Sequence, residues 1–80
     1  MRKLGIMKNV SFGCRDTNYV HLWFDVYTDE SRSSLQRLPA TEAIAVLEKH
    51  GVSNIKSLEG KSCWVEEDDY SMKFIDLAKI

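Results

Sequence analysis

Residues 19–28, YVHLWFDVYT, alternate without interruption. Val20, Leu22, Phe24 and Val26 fall on one parity, and Tyr19, His21, Trp23, Asp25 and Tyr27 on the other. Strand side chains point to opposite faces in turn. The segment therefore predicts a β-strand with one wholly apolar face and one aromatic and polar face. The apolar side needs a cover, and the aromatic row needs a role.

The preceding residues supply a partner strand. Ile6, Lys8, Val10, Phe12 and Cys14 alternate with Met7, Asn9, Ser11 and Gly13, which puts Val10 and Phe12 on the apolar side. Between the two runs, Arg15, Asp16, Thr17 and Asn18 are turn-forming and predict an antiparallel hairpin. Residues 29–34 are a polar break expected to form a mobile loop, and 35–38 a short extended piece or simple lead-in. Pro39 suits the first turn of a helix over 40–50, because its missing N–H would have no partner there. Ala40, Ala43, Ile44 and Leu47 form the apolar stripe with Val46 at its edge, and Glu42 and Lys49 match the macrodipole. Gly51 closes the helix, and Ser53 is expected to cap a further turn carrying Ile55 and Leu58. Residues 62–66 predict a strand with Cys63 and Val65 on one face and Trp64 on the other. Residues 67–69 then turn, and 72–80 read as a last strand, apolar on both faces as a strand that is central or partly covered on both sides is. The expected architecture is α+β, with two hairpins in a four-stranded antiparallel sheet and one helix on one face.

The 80 residues suffice for a single domain, 1–80. A domain of this size buries only about 60–65% of its unfolded surface, so each core side chain matters. Lys and Arg number 11 and Asp and Glu 12, a net charge of −1. A dedicated duplex-binding domain would be basic, and a charge near zero favours self-association. Cys14 and Cys63 are too few for a disulfide scaffold and are expected as free thiols in a reducing cytosol. Without a signal-peptide pattern or an apolar run of about 20 residues, a cytoplasmic location and no membrane contact are expected.

No arrangement of residues points to catalysis, a metal or a cofactor. His21 and His50 stand at no metal-ligand spacing with the cysteines. His21 and Asp25 share a strand face but lie roughly 13 Å apart along it, too far to bond directly. Gly60, Lys61 and Ser62 lack the upstream glycine of a phosphate loop and read as a helix end entering a strand. Two features suit binding. Tyr19, His21, Trp23 and Tyr27 can pack across strands, anchor a protein or stack bases. His21 and Asp25 stand between these aromatics where a phosphate-binding platform would carry Lys or Arg. Glu66, Glu67, Asp68 and Asp69 form an acidic run, read either as a solvated turn or as a contact for a basic partner.

The stretch from Ala43 to Val52, with Ile55, then Leu58, Glu59, Gly60 and Lys61, then Cys63, Trp64, Val65 and Glu66, resembles small uncharacterised phage and prophage proteins. In those a hairpin precedes a helix ending near Gly-Val, followed by L-x-G-K and a strand. Val10 to Gly13 and Leu22 to Asp25 follow that layout as well. Those proteins often carry a glycine-rich loop after the second strand, whereas 29–34 holds no glycine. The resemblance implies a hairpin–helix–hairpin protein of phage type and assigns no site residue.

The sequence thus reads as a non-catalytic binding module, a phage- or prophage-type accessory protein. It would contact a host or phage protein, inhibition of a host system included, through Tyr19, His21, Trp23, Tyr27, Glu66, Glu67, Asp68 and Asp69. The alternative is single-stranded nucleic-acid binding through the aromatic face with Lys61, Lys73 and Lys79. A small enzyme or metal protein acting through His21 is a third reading, and self-association as a homo-oligomer through the aromatic face is independent of all three.

Overall fold

The computed structural model describes residues 1–14, 19–28 and 32–78. The elements are β1 (Arg2–Gly13), β2 (His21–Thr28), β3 (Ser33–Pro39), α1 (Ala40–Lys49), a 3-10 turn (Ile55–Leu58), β4 (Ser62–Glu67) and β5 (Met72–Leu77). All four strand pairings are antiparallel, in the order β3-β2-β1-β4-β5. The class is α+β and both expected hairpins are present, but the sheet has five strands, not four. The additional strand is β3. Its inward positions are Ser34, Gln36 and Leu38, opposite Val26, Phe24 and Leu22. Only Leu38 of these is apolar, so the alternation that reveals a half-buried strand is missing. The expected turn at 15–18, and residues 29–31 of the expected loop, lie outside the described residues.

β1 is the spine, pairing with β2 from Gly5 to Gly13 and with β4 from Arg2 to Ile6. With β4 beside β1, the strands take the Greek-key order 4-1-2-3. Both β3 and β5 run parallel to β1, and the curl of the sheet brings these two edges together. Gln36 bridges them: Nε2 donates to Met72 O at 2.7 Å, and Oε1 accepts from Phe74 N at 2.9 Å. A side-chain amide offers the same donor and acceptor as a peptide group, so Gln36 stands in for a ladder at this seam. The product is a partly open five-stranded barrel. β5 is accordingly an edge strand and not a central one, and it ends at Leu77. An irregularity between Trp64 and Val65 turns Leu77 inward opposite Cys63, where Ala78 was expected.

The inward faces contribute Met7, Leu22, Phe24, Val26, Cys63, Val65, Met72, Phe74 and Leu77 to the core. Phe24 and Phe74 meet edge to face with centroids 5.3 Å apart. From α1, Ala43 is buried and Val46 and Leu47 pack against the core, whereas Ile44 of the expected stripe is half-exposed. Leu58 of the 3-10 turn is buried, and Asn54, not Ser53, caps that turn by accepting from Lys56 N at 2.9 Å. Val10 packs against the core as expected, but Phe12 is exposed near the end of β1. Cys14 is an exposed thiol; Cys63 is buried, which pushes its thiol up to about 11.

Pro39 caps α1 without a side-chain bond, and Val20 O accepts from Ala40 N at 3.2 Å, giving one of the orphan helix-start donors a partner. At the other end, Lys49 and His50 both bond the Asp76 carboxylate and tie the helix to β5. Burial there opposes ionisation of Asp76, but the bonds from Lys49, His50 and Leu77 N outweigh it and hold the carboxyl below its ordinary value. A depressed carboxyl stabilises the fold above its unfolded pKa and loses that contribution as pH falls through the folded one. Stability is therefore expected to drop below about pH 4, and Asp76→Asn to flatten that drop. Urea midpoints measured across the acid range check this; an equally steep loss in the variant would show that the clasp contributes nothing.

Candidate binding face

The outward face of β1, β2 and β3 is set by register. Trp23 stands between Arg37 of β3 and Ser11 of β1, Asp25 between Leu35 and Lys8, and Tyr27 between Ser33 and Ile6. Trp23 is partly exposed; Tyr27, Leu35, Arg37 and Lys8 are exposed. Tyr19 precedes β2 and is 64% exposed. The three expected aromatics thus lie along one side of the β2 segment.

His21 is different. Its ring is buried, flanked by Tyr19 with centroids 6.2 Å apart and by Trp23 at 5.1 Å, and its Nε2 has no hydrogen-bond partner. At the surface, the cations beside the aromatics come from neighbouring strands, Arg37 opposite Trp23 and Lys8 one strand from Tyr27. Asp25 accepts from Asn9 Nδ2 at 2.9 Å, which occupies part of its charge locally. Single-strand alternation could not show this, because the interleaving runs across strands.

The rest of the outward face mixes aliphatic side chains with Trp64, Glu66 and Lys73. Leu4 stands opposite Trp64, and Leu4, Ile6 and Ile75 are each more than a third exposed.

The acidic run does not form one surface. Glu66 is exposed and accepts from the terminal amino group at 2.8 Å. Glu67 is buried; Lys3 Nζ lies 3.0 Å and Arg32 3.7 Å from its Oε1, while Oε2 has no partner. This corrects the solvated-turn expectation for Glu67, which faces inward opposite Met72 as the last residue of β4. Asp68 caps the following turn: the Tyr70 and Ser71 backbone N–H groups, each 2.8 Å from Oδ1, hold its carboxyl below the ordinary range. Asp69 is exposed. Lys61 and Lys73 are exposed, the latter opposite Glu66; Lys79 lies outside the described residues.

A bulge in β1 leaves no mark in the sequence pattern. β1 is irregular between Lys8 and Ser11, and Asn9 adopts φ +54°. Asparagine tolerates that left-handed region better than most residues. At the bulge two successive backbone N–H groups bond a side chain and not the ladder. Asn9 N donates to Glu59 Oε2 and Val10 N to Glu59 Oε1, both at 3.0 Å. These bonds, Val10's first, hold the Glu59 carboxyl below its ordinary value, with Lys8 adding its charge. An open depression of about 280 Å³, lined by Lys8, Asn9 and Tyr27, adjoins the bulge.

Among the described residues, no group of three or more His, Cys, Asp or Glu side chains is placed to hold a metal ion. Nor is any described helix long and apolar enough to cross a membrane. Comparison with protein-family models, with curated proteins and with solved structures finds no match for this chain.

Proposed function

We propose that the protein is a non-catalytic module that binds single-stranded nucleic acid across the outward face of β1, β2 and β3. The observation that carries this reading is the pairing of Trp23 with Arg37, with Tyr27 and Lys8 on the same face. Stacking surfaces with cations one strand away suit bases on rings and phosphates beside them. The topology adds a fold-level analogy. Five-stranded, partly open Greek-key barrels of the OB type use the face of strands 2 and 3 to hold oligonucleotides and oligosaccharides. A single strand also needs fewer cations than a duplex, so a net charge of −1 is tolerable where the cations are local.

The test is fluorescence anisotropy with labelled poly-dT and poly-rU oligonucleotides. Trp23→Ala is expected to weaken binding by about 1–3 kcal/mol, the worth of one stacked base. Arg37→Ala should reduce the salt slope by about 0.7, the value for one phosphate contact on a single strand. Absence of binding at low salt, up to protein concentrations of about 100 μM, would sink the reading.

The aliphatic part of the same face favours a second reading. Leu4 and Ile6 of β1 have no use in base stacking, and exposed apolar side chains suit a protein partner of the kind a phage accessory protein would engage. Affinity capture with and without nuclease separates the two: a stoichiometric protein partner that survives nuclease supports this second reading.

A further inference from the structure

We infer that the bulge of β1 is a phosphate-binding site that the chain's own Glu59 occupies when no ligand is present. Successive outward N–H groups around a left-handed residue form a concave anion site. Here the two donors already hold two oxygens of one carboxylate at 3.0 Å each, so the geometry accepts an oxyanion. The Lys8 charge already acts on the carboxylate held there, and Lys8 lines, with Tyr27, a depression beside Asn9.

A phosphate is the anion that suits an exchange. Glu59 is tethered, and an intramolecular ligand competes at high effective concentration. An external carboxylate has no advantage over it, whereas a phosphate brings a larger charge beside Lys8 and additional acceptor oxygens. The opposing charge is Asp25, which Asn9 Nδ2 engages at 2.9 Å. Release of Glu59 is cheap because the side chain is exposed and passes into water. Its backbone stays in place without the carboxylate. Leu58 is buried, Gly60 N donates to Met7 O at 2.7 Å, and Met7 N donates to Lys61 O at 2.9 Å. Glu59 therefore acts as a removable occupant as well as a clasp. Only the source of the phosphate rests on the single-strand reading; the exchange itself does not.

The experiment is an amide NMR titration of the full chain with inorganic phosphate, then with a short oligo-dT. In Glu59→Gln, the Asn9 and Val10 amide protons are expected to move saturably, at phosphate concentrations about ten-fold lower than in the wild type. Glu48→Gln removes the same charge from exposed helix surface and should behave as wild type. Glu59→Asp keeps the charge but shortens the reach, and should fall between; it carries the test if the glutamine variant does not fold. Asn9 and Val10 amides that stay still in both Glu59 variants would overturn the proposal. So would shifts no larger than those in Glu48→Gln. Phosphate that moves these amides while oligo-dT does not bind would keep the nest and sink the single-strand reading. Oligo-dT that binds while these amides stay still would do the reverse.

Discussion

Gly5→Val is expected to abolish cooperative folding, and Gly5→Ala to cost about 3 kcal/mol, the upper part of the range for overpacked cores. Gly5 lies in β1 opposite Thr28 of β2 and Cys63 of β4, with its missing side chain directed into the barrel. A Cβ there would penetrate Val26 Cγ1 and lie 3.3 Å from Tyr27 O. Val26 is fully buried and β-branched, so it has little room and few rotamers with which to yield. The absent side chain is what allows the tightly curled β1 and β2 to close on one another. An 80-residue domain has roughly 4–12 kcal/mol of stability, so alanine consumes a large part of it and valine the rest. Urea unfolding measures both; Gly5→Ala at the wild-type midpoint would mean that Val26 moves freely.

The role of Gly5 could not be read from the chain, because it depends on which residue stands across two strands. The same holds for β3. Its inward Gln36 reads as a surface residue until β5 is placed beside it, and then the amide becomes the bridge between edges. Features with a local cause were legible. The parity of β2 placed Leu22, Phe24 and Val26 in the core, and the Pro39 and Gly51 signals bounded α1. Cys63 and Val65 inward with Trp64 outward also followed from alternation alone. The last strand misled because one irregularity in pairing re-aims every residue after it, and Leu77 replaced Ala78 inside.

The candidate face was half legible for the same reason. Tyr19, Trp23 and Tyr27 came from one strand's parity, but Arg37 and Lys8 beside them came from register. His21 and Glu67, both polar by type, are buried, because their positions face ring neighbours and a cation pair respectively. The nest at Asn9 and Val10 carries no side-chain signature, since its donors are backbone groups exposed by a bulge.

Phe24→Ala is expected to cost about 3–5 kcal/mol through lost transfer energy and the cavity left behind. Phe24 is 0% exposed, at the centre of β2, opposite Gln36 and edge to face with Phe74 of β5. Its ring therefore supports the seam from inside, where no continuous ladder joins β3 to β5. For a domain of this size the loss corresponds to a fall in Tm of roughly 12–40 °C. Phe24→Leu refills most of the volume and should recover more than half of it. Trp23→Ala, one residue away on the outward face, is expected to lose only about 1 kcal/mol while removing the stacking surface. Thermal unfolding of the three variants separates what β2 does for the fold from what it does for a ligand. If Trp23→Ala were the more destabilised of the two alanine variants, its ring would serve the fold's support before any ligand.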